Sequence, residues 1–167
     1  METPGDGQIR ALYINESTRR ASVIQQAMAD LGNPDETGSD TGRPLRLIGR
    51  RHLRTNNSWM HNIPALSAKN PCTLQVNPED AARLRLKDGQ TAQITSNAGT
   101  VNALVEITDR VMEGVVSLPH GWGHDMEAMQ MQVAAANPGV NTNRIVPGAV
   151  DPLSATAVLN AIAVTVS

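Results

Sequence analysis

The feature that most constrains the fold is a succession of short apolar runs, each ended by a turn sequence, from Arg43 onward. Runs of this kind, rich in Val, Ile, Leu and Thr and bounded by Gly, Asn, Asp or Pro, are typical of strands in small barrels and sandwiches. The turn Asn97-Ala-Gly99 predicts a hairpin. The predicted strands are residues 45–48, 72–76, 90–96, 100–108, 115–118 and 158–166.

Two segments within this region carry helical signals. Asn77-Pro-Glu-Asp80 combines an N-cap residue, a proline at the first helical position and acids in the first turn, which predicts a short helix over 78–84. The stretch 121–156 is long and irregular, with one helical pattern over 126–136. Irregular stretches of this length in a compact domain are commonly either functional or poorly ordered.

The first part of the chain has a different composition. Gly and Pro cluster at its start and again over 32–44, which is typical of a linker. Between the clusters, apolar residues at helical spacing predict one amphipathic helix over 16–31. The expected organisation is therefore a peripheral helix and linker over 1–44, followed by a β domain over 45–167.

Charge and composition exclude several classes of protein. Fourteen Lys and Arg against 16 Asp and Glu give a formal net charge of −2, so no overall positive field favours nucleic acid or an anionic membrane, and we expect neither as a partner. Cys72 is the single cysteine, which excludes a disulfide framework, a four-cysteine zinc site and a cysteine-ligated cluster; we expect it to be a small buried side chain. No apolar run approaches the roughly 18 residues that a membrane span needs, and the N-terminus lacks the features of a signal peptide. We expect a cytoplasmic location, with export of a parent chain left open.

The densest group of polar side chains lies in residues 43–62. Guanidinium groups suit phosphate and pyrophosphate oxygens, and no acid interrupts the arginines at positions 43, 46, 50, 51 and 54. Amide, hydroxyl, indole and imidazole groups then follow at Asn56, Asn57, Ser58, Trp59, His61 and Asn62. This composition fits a ligand-lining loop, and it equally fits a solvated basic strand followed by a loop that caps its own backbone.

Two later motifs resemble parts of a binding site. In Leu118-Pro-His-Gly-Trp-Gly-His124, glycines on both sides of Trp122 allow close backbone approach, and the indole can either stack on a flat heterocycle or fold back as a core aromatic. His120 and His124 have a spacing that holds metals on a helix, but the glycines disfavour a helix and therefore a zinc site. Gly139-Val-Asn-Thr-Asn-Arg144 again offers amide and guanidinium donors.

The sequence contains no self-sufficient catalytic machinery that we can identify. A nucleophile elbow, a phosphate-binding Gly-x-x-x-x-Gly-Lys loop and a dinucleotide Gly-x-Gly-x-x-Gly motif are all missing. No pair of acids stands out as general acid and base. The residues themselves indicate binding of a large anionic, heteroaromatic ligand, and we assign neither a catalytic residue nor a metal ligand to this chain.

Taken in order, these segments resemble the C-terminal molybdopterin-dinucleotide-binding domain of the molybdenum and tungsten oxidoreductases of the dimethyl-sulfoxide-reductase superfamily, with formate-dehydrogenase-like members most similar. The resemblance covers about residues 45–167. It is carried by Ile48-Gly-Arg-Arg51, Asn57-Ser-Trp-Met-His-Asn62, Asn77-Pro-Glu-Asp-Ala81, Lys87-Asp-Gly89, Leu118-Pro-His-Gly-Trp-Gly123, Asn143 and Asp151-Pro-Leu-Ser154.

The resemblance implies a six-stranded double-psi β-barrel of the aspartate-decarboxylase type, mainly β with short helices. It also implies bis-molybdopterin guanine dinucleotide as cofactor, with molybdenum or tungsten held by domains outside this chain. The positions that match the family's cofactor-lining segments are Gly49, Arg50, Arg51, Asn57, Ser58, Trp59, His61, Asn62, His120, Gly121, Trp122 and Asn143.

Departures from the family shape further expectations. Complete members run to several hundred residues and carry the metal-coordinating side chain in an earlier domain, so the resemblance implies that this chain is a C-terminal fragment, or a separate small subunit, whose partners are the remaining domains or subunits of an oxidoreductase. Alone it is expected to be inactive. Ala155 stands where members frequently have glycine.

Two other functions remain open for a barrel of this type. A self-processing pyruvoyl decarboxylase needs cleavage at a Gly-Ser bond, and the single such pair, Gly38-Ser39, lies in the linker. A non-catalytic adaptor that binds partner proteins would leave the clustered arginines and the Asn-Ser-Trp loop without a purpose.

Overall fold

A computed structural model describes residues 44–67, 71–126, 128, 130–150 and 155–167. The described residues within 44–149 and 157–167 form one compact unit, while Val150, Ala155 and Thr156 belong to another. Six strands of the first unit close into a barrel in the order β1-β5-β2-β4-β3-β6. Their bounds are β1 Leu45–Arg50, β2 Thr73–Val76, β3 Thr91–Thr95, β4 Thr100–Ile107, β5 Val115–Pro119 and β6 Ile162–Val166.

The strand directions place two chain segments side by side at one end of the barrel. Strands β1 and β5 are parallel, with Arg50 opposite Pro119, and β2 and β4 are also parallel. The remaining neighbours in the barrel pair antiparallel. Since parallel strands end at the same edge, the residues that follow β1 and β5 emerge together. This mainly β, closed six-stranded barrel with two parallel pairs confirms the expected double-psi fold class.

The barrel is filled by aliphatic side chains. Alternate residues of each strand point inward, so that β4 reads exposed, buried, exposed, buried, and β6 shows the same period of two. Fully buried side chains include Leu74, Ile94, Val116 and Leu118. Because the core cluster holds no aromatic ring among the described residues, the barrel depends on close packing of branched side chains.

The helices are short: α1 Pro64–Ser67, α2 Pro78–Leu84, α3 Gln132–Ala136 and a 3₁₀ turn over Thr142–Ile145. Helix α2 begins where its local signals predict. Asn77 Oδ1 accepts a hydrogen bond from the Glu79 N–H at 3.0 Å, and the helix is followed by its C-cap residue Arg85, whose φ of 56° is left-handed. The buried Asp80 of the same helix accepts the Gly114 N–H at 2.7 Å, which ties α2 to the start of β5. No helix in the described ranges is long and apolar enough to cross a bilayer.

Most predicted strands are confirmed within one or two residues, and two predictions are wrong in extent. The last strand begins at Ile162 and not at 158, because Ala161 adopts a φ of 59° and Asn160 turns its side chain onto the Gly49 N–H at 2.8 Å. Of the described residues in the helical pattern over 126–136, α3 contains only the last five, whereas Met126, Gln130 and Met131 lie outside it. The predictions for residues 1–43, including the helix over 16–31, lie outside the described residues.

Candidate functional site

A cavity of about 590 Å³ opens where β1 and β5 end. The His120 N–H donates to the Arg50 carbonyl at 3.2 Å, so the two loops that leave these strands start in contact. The loop after β1 and the loop after β5 form two walls of the cavity. The segment Asn141–Asn143 and the side chain of Asn160 complete it.

The cavity wall is rich in neutral hydrogen-bonding groups. Its polar side chains are Arg51, Asn57, Ser58, His120, His124, Asn141, Thr142, Asn143 and Asn160. Apolar side chains close the remaining sides at Leu47, Met126, Val146 and Leu159. Arg51 brings a positive charge, and none of the described lining residues is acidic. A pocket of this size and composition suits a large ligand with negative charge and many hydrogen-bonding edges.

Asn57 joins the two principal walls. Its Oδ1 accepts a hydrogen bond from Arg51 at 3.1 Å and another from His120 Nε2 at 2.9 Å. Because an amide oxygen only accepts, the His120 proton must sit on Nε2, which leaves Nδ1 as an acceptor when the ring is neutral. Asn57 has a φ of 61°, a left-handed conformation that asparagine tolerates better than most residues.

The electrostatics of the cavity keep His120 neutral. Burial lowers the pKa of His120 below its ordinary value, and the positive charge of Arg51 lowers it further. At neutral pH the imidazole is therefore uncharged and presents one donor and one acceptor. The fixed positive charge of this wall is then the Arg51 guanidinium, which remains available for an anion.

Glycine is required on both sides of Trp122. Gly121 has a φ of 86°, and a Cβ atom there would lie 1.8 Å from the Asn57 carbonyl oxygen. Gly123 has a φ of 92°, and its Cβ would lie 2.3 Å from the Asn141 Cβ. The Gly-Trp-Gly bend therefore brings the backbone of the β5 loop into contact with both other walls of the cavity.

Trp122 is mostly a packing residue. Only 4% of it is exposed, and its ring lies 4.3 Å from His61 between centroids at an angle of 60°. Its indole N–H has no hydrogen-bond partner among the described residues. Of the two roles that the sequence left open, the structure favours the buried aromatic, although part of the residue contributes to the cavity wall.

The structure brings eight of the twelve predicted site residues together. Those that line the cavity are Gly49, Arg51, Asn57, Ser58, His120, Gly121, Trp122 and Asn143. Four others lie elsewhere: Arg50, Trp59, His61 and Asn62. Their assignment as cofactor contacts remains a prediction.

Arg50 points into the barrel wall. Its guanidinium donates to the Ser117 carbonyl at 2.5 Å and to the Thr73 carbonyl at 2.6 Å, and it lies 4.0 Å from Glu106. Burial lowers the pKa of Arg50, an effect that the nearby Glu106 charge opposes. Although burial raises the pKa of Glu106, hydrogen bonds from Thr73 and Gln75 and the Arg50 charge outweigh it and hold that pKa below its ordinary value. Arg50 therefore links β1, β2, β4 and β5, whereas Arg51 faces the cavity.

The other three residues divide between the surface and the interior. Trp59 is 82% exposed. His61 is 2% exposed, and its Nε2 donates to the Asn137 carbonyl at 2.9 Å. Asn62 Oδ1 accepts from the backbone N–H groups of Val133 and Ala134.

Several residues that the structure places in the cavity wall were not among the twelve predicted site residues. His124 and Asn141 belong to the motifs noted above, but nothing in their local sequence separated them from their neighbours. Asn160 gave no signal, because the pattern of its segment predicts a strand. Its position follows from the contact with Gly49, which is 111 residues away.

The described residues contain no group of three or more His, Cys, Asp or Glu side chains arranged to hold a metal ion. Cys72 was expected to be a small buried side chain, but the structure shows it half-buried. Burial raises the pKa of its thiol, and its Sγ accepts a hydrogen bond from the Val140 N–H at 3.3 Å.

A closed six-stranded barrel with a cavity of this composition at the ends of two parallel strands defines a small β domain suited to a large polar ligand. The molybdopterin dinucleotide binding domain matches residues 45–163, and the chain belongs to that family. The resemblance noted in the sequence is thereby confirmed.

Relatives are much longer than this chain. It is 36% identical over 78 residues to a dimethyl sulfoxide reductase from Haemophilus influenzae, which covers 47% of this chain and 10% of the relative. It is 36% identical over 89 residues to a tetrathionate reductase subunit from Salmonella typhimurium (52% of this chain, 9% of the relative). It is 34% identical over 93 residues to a formate dehydrogenase α subunit from Methanococcus maripaludis (56% and 12%). The matched region thus spans about a tenth of these curated relatives.

The fold has counterparts among solved structures. Acetylene hydratase from Pelobacter acetylenicus superposes with a TM-score of 0.61 at 21% identity, over 74% of this chain and 18% of that one. This likeness supports the barrel fold.

Proposed function

We propose that this chain binds the guanine-dinucleotide end of bis-molybdopterin guanine dinucleotide in the cavity at the ends of β1 and β5. The observation that carries the proposal is the composition of the cavity wall. Arg51 and His120 converge on Asn57, the amides of Asn141 and Asn143 lie on another side, and none of the described lining residues is acidic. Its volume of about 590 Å³ falls within the range of pockets for small molecules and cofactors, roughly 300–1,000 Å³.

The residues present fit the chemistry of this group. Arg51 supplies the planar guanidinium that suits a pyrophosphate, and neutral His120 offers one donor and one acceptor to a heterocycle edge. The amides of the Asn141–Asn143 segment offer both kinds of hydrogen-bonding group. Gly121 and Gly123 allow the backbone of the β5 loop to contact the other two walls, because a Cβ at either position would overlap Asn57 or Asn141. When bound, the group supplies two-electron redox chemistry at its metal, while this chain binds and orients it.

The parent reaction belongs to the whole enzyme. The short matched share of the relatives supports a larger molybdenum or tungsten oxidoreductase, formate-dehydrogenase-like, whose other domains or subunits are the partners of this chain and hold the metal. Relatives named for dimethyl sulfoxide, tetrathionate and formate share this one domain. Substrate choice therefore resides outside it, and the isolated chain is inactive.

An amide-resolved NMR titration of the isotopically labelled chain with GDP tests the proposal. We expect shifts to cluster on residues 50–62, 118–123 and 141–144. Arg51→Ala should weaken binding about tenfold, the loss of one charge-assisted contact of roughly 1.4 kcal/mol. Arg54→Ala removes an equal charge from an exposed position outside the cavity and should change affinity less than twofold.

Two results contradict the proposal. Shifts that are absent, or scattered over the surface, at millimolar GDP show that the cavity is not a nucleotide site in this chain. Equal losses in the two arginine variants show a general charge effect and not binding by Arg51.

A further inference from the structure

Two adjacent side chains connect the loop after β1 to helix α3 behind the cavity. Asn62 Oδ1 accepts the N–H groups of Val133 at 3.0 Å and Ala134 at 3.1 Å. His61 Nε2 donates to the Asn137 carbonyl at 2.9 Å. These bonds join residues 71 to 76 positions apart, and neither side chain lines the cavity.

Helix α3 depends on this connection. It has only five residues, far below the roughly 12–15 at which an isolated helix becomes even marginally stable. Met131, which occupies its N-cap position, makes no side-chain capping bond. The capping acceptor comes instead from Asn62 in another loop, while His61 bonds the carbonyl of the residue that ends the helix.

From α3 the connection continues to the cavity. The Gly123 N–H donates to the Pro138 carbonyl at 2.6 Å, and a Cβ on Gly139 would lie 2.5 Å from the Trp122 ring. Asn141 and Asn143, two and four residues after Gly139, line the cavity. The loop after β1 and the Gly-Trp-Gly bend are therefore both hydrogen-bonded to the segment 133–138, from which the chain continues into Asn141–Asn143.

We propose that His61 and Asn62 are positioning residues that hold the Asn141–Asn143 wall in place through α3, and that they do not touch the ligand. Family resemblance assigns the same two residues to the cofactor. The hydrogen bonds distinguish a positioning role from direct contact with the cofactor. In the positioning role, Asn62 acts through its acceptor oxygen and His61 through its donor nitrogen. The ligand-binding part of the test rests on the proposed function.

Paired substitutions at Asn62 test the acceptor. Asn62→Asp keeps an oxygen that accepts both N–H groups, and its charge at a helix N-terminus is favourable. If Asn62 instead donated to an anionic ligand, the aspartate would repel it. Asn62→Ala removes the acceptor in either case, and Asn102→Ala on the exposed face of β4 is the matched control.

We expect Asn62→Ala to speed hydrogen exchange of the Val133 and Ala134 amides about tenfold and to weaken GDP binding about fivefold, while Asn62→Asp and Asn102→Ala stay within twofold of the unsubstituted chain on both readouts. Overturning results are an Asn62→Asp variant that loses GDP as Asn62→Ala does, or an Asn62→Ala variant with unchanged exchange.

A second pair tests the donor at His61. Both His61→Gln and His61→Leu lose the ring contact with Trp122, but only glutamine keeps an N–H near the position of Nε2. Glutamine should preserve the backbone amide shifts of Asn141–Asn143 better than leucine, and equal shifts in both variants would contradict the role of the Asn137 bond. Failure of the unsubstituted chain to bind GDP refutes the proposed function alone, because the exchange and shift readouts require no ligand.

Discussion

Replacing Gly121 by alanine tests the close contact on which the cavity depends. At a φ of 86° a residue with a side chain is strained by about 1–2 kcal/mol. The added Cβ would also lie 1.8 Å from the Asn57 carbonyl oxygen, whereas real Cβ contacts are essentially never shorter than 3.0 Å. The Asn57 loop must therefore retreat by roughly 1.2 Å, and forced repacking of this kind costs about 1–3 kcal/mol.

Gly114→Ala is the matched control. Its φ of 78° is similar, but no described atom lies within 4 Å of the position a Cβ would take, so it experiences backbone strain without overlap. We expect urea unfolding to give a loss of about 3 kcal/mol for Gly121→Ala and about 1 kcal/mol for Gly114→Ala.

The overlap should also weaken GDP binding. Displacing Asn57 breaks its hydrogen bonds to Arg51 and His120, so GDP affinity should fall at least tenfold in Gly121→Ala and remain unchanged in Gly114→Ala. If the two variants lose equal stability, or if Gly121→Ala keeps its affinity, the contact between the two loops does not exist as described.

Three further outcomes follow from the same structure. Arg50→Ala should lower the free energy of unfolding by about 2–3 kcal/mol in urea titrations, because it removes two charge-assisted hydrogen bonds to part-buried strand carbonyls, whereas Arg51→Ala should change it by less than about 0.5 kcal/mol. Burial lowers the pKa of His61 below 6.5, so the imidazole binds a proton more readily in the unfolded chain than in the folded one. The His61 contribution to stability should therefore be full above pH 6.5 and be lost as the pH drops. Thermal melts from pH 7.5 to 5.5 should show a smaller fall in stability for His61→Gln. Ala155 has a φ of 56°, and Ala155→Gly should raise stability by about 0.5 kcal/mol in thermal melts; a decrease would contradict the left-handed backbone there.

Features with local causes were predictable from the sequence. Helix α2 spans Pro78–Leu84 as predicted, because its cap, its first-turn proline and its acids act within a few residues of one another. The alternation of apolar residues likewise located the barrel strands, and the order of the polar motifs identified the family.

The candidate site was predictable only in part. Arg50 is the last residue of β1 and Arg51 the first residue after it, and the two have the same chemistry in sequence but different surroundings in the fold. Which of them faces the cavity depends on the carbonyls of Ser117 and Thr73, which approach Arg50 from β5 and β2. Local sequence carries no information about that register.

The amino-acid sequence by itself determined the strands, the capped helix, the aliphatic core and the membership of a cofactor-binding family, because these depend on local spacing and residue type. Only the tertiary structure decided which polar side chains line the cavity and which bond to the segments behind its wall. Asn57 joins Arg51 to His120, and Asn62 caps a helix 71 residues away. Two asparagines five positions apart in one loop acquire different roles because closure of the barrel brings a different distant segment to each.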